Sequence, residues 1–209
     1  MGEKAGKKQG LASKLIGDKK FYKMILLIAV PIMIQNGITN FVSLLDNIMI
    51  GRIGTEQMSG AAIVYQIIFV YNLCIFGGVS GAGIFTAQYF GQKDQEGVRN
   101  TFRYKLWMAL ILTVATIVIF LVGGDRLIEL YLHGEGAREN AAATLLYGKQ
   151  YLWIMLVGLP PFMMVQVYAS TLRECGETVV PMKAGITAVL INLLFNYILI
   201  YGKFGAPVL

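Results

Sequence analysis

The 209-residue chain is rich in apolar residues and poor in charged ones. Aliphatic, aromatic and sulfur-containing residues make up 56% of it and charged residues 14%, against about 25% charged residues in a typical soluble domain. This composition excludes an ordinary soluble domain and predicts an all-α fold, a polytopic membrane helix bundle. The net charge is +6, which by itself would suit a nucleic acid. So apolar a chain, however, has no hydrophilic face on which a duplex could lie, so we expect no nucleic-acid partner.

A basic tail precedes five apolar segments, most of which reach the roughly 20 residues needed to cross a bilayer. We predict an N-terminal tail over residues 1–20 and a transmembrane bundle over residues 21–209. Pro31 and the pair Pro160-Pro161 predict kinks or breaks in the first and fourth spans, and Asp125–Leu132 predicts a short amphipathic helix on the membrane surface. The predicted spans cover residues 21–51, 59–90, 104–122, 147–172 and 179–201.

The distribution of basic residues predicts the orientation. Of the 18 Lys and Arg residues, 13 lie in the tail, in the connections after the second and fourth spans, or near the start of the span that follows each of these. Because cytoplasmic loops near membrane spans carry an excess of Lys and Arg, we expect a multi-pass protein of the plasma membrane with a cytoplasmic N-terminus. The lipid bilayer is then its first partner.

Asp46 is an acidic residue inside an apolar span, whereas we place the other acidic residues in water. A carboxylate at membrane depth costs about 2.5–3.5 kcal/mol on insertion scales and marks a functional site by default. Polar residues recur around it at steps of three and four, which puts them on one helical face. Since such a face avoids lipid, we predict a polar cavity lined by Asn36, Thr39, Asn40 and Ser43, with Gln66 and Asn72 of the second span.

Asn192 and Asn196 stand four residues apart in the fifth span and therefore share a face. A carboxylate with amide oxygens suits a small hard cation such as Na⁺, and the carboxylate can instead take up a proton. We predict a cation or proton site at Asp46, Asn192 and Asn196, with no other metal and no organic cofactor. Two alternatives stay open: Asp46 caps a helix break near Gly51, and the two amides only join helices.

Four stretches carry a resemblance to a known family, in the right order along the chain: Ala29–Pro31 with Leu45–Gly54, Ala87–Asp94, Leu172–Met182 and Ile191–Gly202. They resemble the N-terminal lobe of the MATE family of multidrug and toxic compound extrusion transporters. The resemblance implies an antiporter that exports small organic cations or other amphipathic drugs, driven by Na⁺ or H⁺. It places the positions of Asp46 and Asn192 in the cation site, while the position of Asn196 is an aspartate in some members. Asn196 thus leaves Asp46 as the only titratable group there.

The resemblance covers one lobe of a two-lobe, twelve-helix family. The sequence ends about where the sixth helix would begin, so we expect a truncated N-terminal lobe that needs a C-terminal lobe or a pairing subunit. Alternating access requires two bodies that rock against each other. Two alternatives are an exporter of lipid-linked or polysaccharide substrates, disfavoured because no Lys or Arg lies clearly mid-span, and a non-transporting membrane interaction subunit. No HExxH, paired-aspartate or Ser-Lys motif in the spans predicts an enzyme.

Overall fold

A computed structural model of the protein describes residues 18–51, 54–134 and 141–200. These residues form five long helices and, within the described ranges, no strand. Each helix is long and apolar enough to cross a membrane, which confirms the predicted all-α membrane helix bundle. Most of the predicted basic tail, residues 1–17, lies outside the described residues. The helices are α1 (Lys19–Ile50), α2 (Thr55–Gly91), α3 (Gln95–Gly134), α4 (Ala141–Glu174) and α5 (Val179–Ile200).

Short polar turns with defined caps separate the helices at one end of the bundle. The Asp94 carboxylate accepts hydrogen bonds from the backbone N–H groups of Glu96 (3.1 Å) and Gly97 (3.0 Å) at the start of α3. This is the usual role of aspartate at a helix N-cap. At the end of α4, Gly176 adopts a left-handed φ of 84°, which a glycine does without steric cost and which ends many helices. The chain therefore reverses sharply after α2 and after α4.

Helices α2, α3 and α4 pack on one another and enclose the core, and we call them the three-helix core. Val64, Ile75 and Val167 are fully buried there. Helices α2 and α4 approach closely at Gly60, where an added Cβ would lie 2.8 Å from the backbone nitrogen of Gly148. Small residues allow such close approach between membrane helices, so this contact fixes the spacing of α2 and α4.

Helices α1 and α5 pack on each other and form a second unit, the α1–α5 pair, which also touches α4. Most of the apolar side chains on this pair are exposed in the described chain; Met33 and Phe195 are examples. Large exposed apolar surfaces are a feature of residues that face lipid or another part of a protein. The pair is thus the more open side of the bundle.

Two local predictions are wrong. The predicted surface helix Asp125–Leu132 is the last part of α3, which continues through Gly123 and Gly124. Gly124 is buried, and an added Cβ would lie 2.8 Å from a methyl carbon of Leu152, so this glycine serves helix packing rather than a break. Helix α4 likewise remains helical across the pair Pro160-Pro161, so the predicted break is wrong there, while the predicted kink stays a prediction.

Candidate functional site

The α1–α5 pair brings together the three residues predicted to bind a cation. Asn196 of α5 donates from Nδ2 to Oδ1 of Asp46 on α1, at 2.9 Å. The same Nδ2 donates to Oδ1 of Asn192, one helical turn away, at 3.2 Å. Asp46 and Asn196 are half-buried, whereas Asn192 is exposed. The three polar side chains therefore form one hydrogen-bonded cluster between two helices.

The charge of Asp46 has no cationic partner in the described part of the chain, where no Lys or Arg lies within ion-pair distance of it. Tyr151 of α4 lies within electrostatic range of the carboxylate, but a phenol is neutral near pH 7. The amide of Asn196 spends both of its N–H donors on the two neighbouring oxygens. Oδ2 of Asp46 and Oδ1 of Asn196 keep acceptor capacity, so the cluster has a net negative charge and oxygen atoms to offer a cation.

The structure also bears on the capping alternative for Asp46. The backbone N–H of Gly51, which ends α1, bonds to the carbonyl oxygens of Asn47 and Met49. Among the described residues, the Asp46 side chain accepts from Asn196, while residues 52 and 53, which follow Gly51, lie outside the described residues. Both alternatives therefore stay open. The bond from Asn196 to Asp46 does join α1 to α5.

The predicted cavity-lining residues lie at varied positions on α1 and α2. The hydroxyl of Thr39 donates to the backbone carbonyl of Gln35, one turn earlier in its own helix, at 2.9 Å. None of the six lines the three cavities we describe, so their role stays a prediction. Asn36, Thr39, Asn40 and Gln66 are exposed, while Ser43 and Asn72 are half-buried.

A second polar cluster, which sequence reasoning missed, joins the three helices of the core. Lys105 of α3 is fully buried and forms an ion pair with Glu174 of α4, whose side chain is 16% exposed. The hydroxyl of Ser170 donates to Oε1 of Glu174 at 2.5 Å. Gly83 of α2 leaves the room that the Glu174 carboxylate occupies. The expectation that every acidic residue other than Asp46 lies in water is therefore wrong for Glu174.

Arg173 extends this cluster to α1. Its Nη2 donates to Oε1 of Gln35 at 3.0 Å, and the Gln35 amide packs against Gly185 of α5. Arg173 therefore contacts the α1–α5 pair from the last turn of α4. In the sequence, Arg173 was only one of the basic residues that predicted the orientation, and no sequence signal indicated its contact with Gln35.

We describe three cavities between the helices of the core. The largest of these three, about 740 Å³, is a groove between α2 and α3 with Gly77 and Gly81 in its wall. A second, about 230 Å³, lies between α2 and α4 beside Arg173. A third, about 130 Å³, is bordered by the exposed ion pair of Lys149 and Asp125. None of these three includes Asp46.

Comparison with known proteins places most of the chain within one family. The MatE family model matches residues 31–198. The chain is 29% identical over 189 residues to "Probable multidrug resistance protein NorM" of Thermotoga maritima, covering 88% of this chain and 38% of that protein. It is 26% identical over 187 residues to the protein of the same name from Bacillus subtilis, covering 90% of this chain and 40% of that protein.

The fold is similar to a solved structure of a MOP superfamily transporter from Pyrococcus furiosus. The two superpose with a TM-score of 0.75 at 24% sequence identity, covering 96% of this chain and 42% of that one. At this identity the likeness concerns the fold alone. The chain spans about two fifths of the length of these relatives.

Proposed function

Because the chain belongs to the MatE family, we propose that it is the N-terminal lobe of a multidrug efflux transporter. The complete machine exports small organic cations or other amphipathic drugs in exchange for Na⁺ or H⁺. It pairs this lobe with a C-terminal lobe or a partner subunit, in the plasma membrane, with the N-terminus in the cytoplasm. The observation that carries this proposal is the contact of Asn196 with an uncompensated carboxylate, Asp46, between two membrane helices.

The coupling step follows from the polarity of that contact. In the described state Asn196 presents its NH₂ group to the Asp46 carboxylate. A bound Na⁺ requires oxygen ligands, so the Asn196 amide turns to present Oδ1, which joins oxygens of Asp46 and Asn192 around the ion. A proton on Asp46 makes the carboxyl a donor, and Oδ1 of Asn196 then accepts from it. Either cation neutralises Asp46 and reverses this contact.

Reversal of one contact can bias a conformational equilibrium because α1 and α5 meet there. Neutralising a charge at membrane depth removes a penalty of about 2.5–3.5 kcal/mol on insertion scales. A free-energy difference of that size changes the ratio of two states by about a hundredfold. The free-energy change on neutralising Asp46 is therefore large enough to couple an ion gradient to the rocking of two lobes.

The test compares two charge-removing variants in the full-length gene product. Asp46→Asn removes the proposed coupling carboxylate, and Asp125→Asn removes an exposed carboxylate that pairs with Lys149. We expect energised ethidium efflux from cells to fall to background with Asp46→Asn and to remain near the unmodified level with Asp125→Asn. Full efflux by an Asp46→Asn protein would overturn the coupling role of Asp46.

A binding measurement identifies the coupling ion without requiring transport. We expect purified protein in nanodiscs to bind ²²Na⁺ at neutral pH if Na⁺ is the coupling ion, and Asp46→Asn or Asn196→Leu to abolish that binding. If H⁺ is the coupling ion, ²²Na⁺ does not bind. An imposed pH gradient then drives efflux in proteoliposomes without Na⁺. Transport that needs neither gradient contradicts the antiport proposal.

A further inference from the structure

The cavity of about 230 Å³ between α2 and α4 has two chemically different walls. One wall is apolar and comes from α2, with Ile75, Phe76 and Val79. The other is polar and comes from α4, with Arg173 in the last turn of the helix. The volume corresponds to about eight water molecules at their liquid density. A group that combines hydrogen-bond acceptors with an apolar tail matches both walls.

The polar wall has one positive charge without a partner. Glu174, the acidic residue in the wall, forms its ion pair with Lys105 and accepts the hydroxyl of Ser170. Those two charges cancel, which leaves the charge of Arg173. Its one acceptor in the described chain is Gln35, a neutral amide, and its Nε is buried without an acceptor there. No carboxylate of the described residues lies within ion-pair distance of Arg173.

A guanidinium has five N–H donors, and the described chain offers the Arg173 group one acceptor. The remaining donors suit an anionic group with several oxygen atoms. Arg173 lines the cavity, so an acceptor group in the cavity lies beside its side chain. Ser80 and Gln166 line the same cavity and offer further hydroxyl and amide donors. This set of donors suits the tetrahedral oxygens of a phosphate.

We propose that this cavity binds the phosphate group of an anionic phospholipid. Arg173 holds the phosphate, and the apolar wall of α2 contacts the start of an acyl chain. Two facts favour a bilayer lipid over a soluble anion. Arg173 lies at the end of a membrane-spanning helix, where headgroups are found, and basic pockets between transmembrane helices are known to hold lipid headgroups. The proposal does not depend on the transport function proposed above.

Lipid binding to purified full-length gene product, measured by native mass spectrometry, tests the proposal. The probes are dioleoyl phosphatidylglycerol, dioleoylglycerol with the same chains and no phosphate, and inorganic phosphate. We expect Arg173→Gln to weaken phosphatidylglycerol binding about tenfold or more, as the loss of a charge-assisted hydrogen bond implies. Arg103→Gln, which removes an exposed arginine from α3, is the matched control and should bind as the unmodified protein does. Dioleoylglycerol should bind all three proteins equally.

A second variant distinguishes the loss of the cavity from the loss of the structural contact that Arg173 makes with Gln35. Ser80→Leu fills the cavity from α2 without touching the bond between Arg173 and Gln35, and it should weaken phosphatidylglycerol binding as strongly. Equal lipid binding by the unmodified protein, Arg173→Gln and Ser80→Leu would overturn the proposal. Displacement of the lipid by millimolar inorganic phosphate would also overturn it, since the site would then belong to a soluble anion.

Discussion

Removal of one partner from the buried ion pair tests whether that pair holds the three-helix core together. Lys105→Met keeps most of the side-chain length and removes the charge, which leaves the Glu174 carboxylate with Ser170 as its remaining donor in the described chain. The double variant Lys105→Met/Glu174→Gln removes both charges. Breaking a buried pair is strongly destabilising, whereas replacing both partners is often nearly neutral.

The size of the effect follows from the cost of leaving the carboxylate without its partner. A buried charge whose partner has been removed costs about 3–5 kcal/mol. The single variant should therefore lose about 3–5 kcal/mol of unfolding free energy.

The measurement is the free energy of unfolding of the full-length gene product in mixed micelles, titrated with SDS at pH 7. The double variant should lose less than the single one. Lys149→Met, which breaks the exposed pair with Asp125, is the control and should cost less than about 1 kcal/mol. A loss below about 1 kcal/mol for Lys105→Met, or an equal loss in the single and double variants, would refute the reasoning.

Two further substitutions probe packing in the same unfolding assay. Gly83→Ala should destabilise the protein by about 1–3 kcal/mol, because its Cβ would overlap the Glu174 carboxylate, while Gly81→Ala, whose Cβ would meet nothing within 4 Å, should be neutral or slightly stabilising; equal effects would contradict the packing argument. Tyr71→Phe should cost about 1 kcal/mol, because it removes the buried hydrogen bond of 2.8 Å to the Thr113 hydroxyl; an unchanged stability would show that this bond contributes nothing.

The number of helices and their approximate places could be predicted because apolar length alone sets them. What failed was the prediction that the third span ends at residue 122 and that a separate surface helix follows it. Gly124 is unfavourable inside an isolated helix, but its missing side chain admits Leu152. That benefit depends on which helix lies opposite, and a local pattern does not contain this information. The pair Pro160-Pro161 shows the same limit, since α4 remains helical there.

The geometry of the cation cluster could be anticipated for a related reason. Asn192 and Asn196 share a face by spacing alone, and an isolated aspartate in a span needs a polar neighbour. Those two constraints bring Asp46 and Asn196 together without knowledge of the fold, and the structure joins them at 2.9 Å. Cation binding by this cluster stays a prediction until the ion is measured.

The buried pair of Lys105 and Glu174 was invisible to the same reasoning. Both residues lie near helix ends. A count of charges assigns residues there to the solvent-exposed connections, and a hydropathy average over a window of residues does not distinguish a single buried charge. Their burial arises from the reach of two long side chains from different helices toward Gly83. Only the packing of α2, α3 and α4 brings these groups together, so the signal is tertiary and has no counterpart in periodicity.

Helix α1 makes polar contacts at several levels, and two of them belong to the sites of the two proposals. Near its end it bonds to α5 through Asp46, and eleven residues earlier it bonds to α4 through Gln35 and Arg173. At 1.5 Å per residue these two levels lie roughly 16 Å apart along the helix. A cation at Asp46 would change the first contact, and a phosphate on the remaining donors of Arg173 would lie beside the second. Because one helix carries both contacts, we expect occupancy of either site to affect how α1 is held.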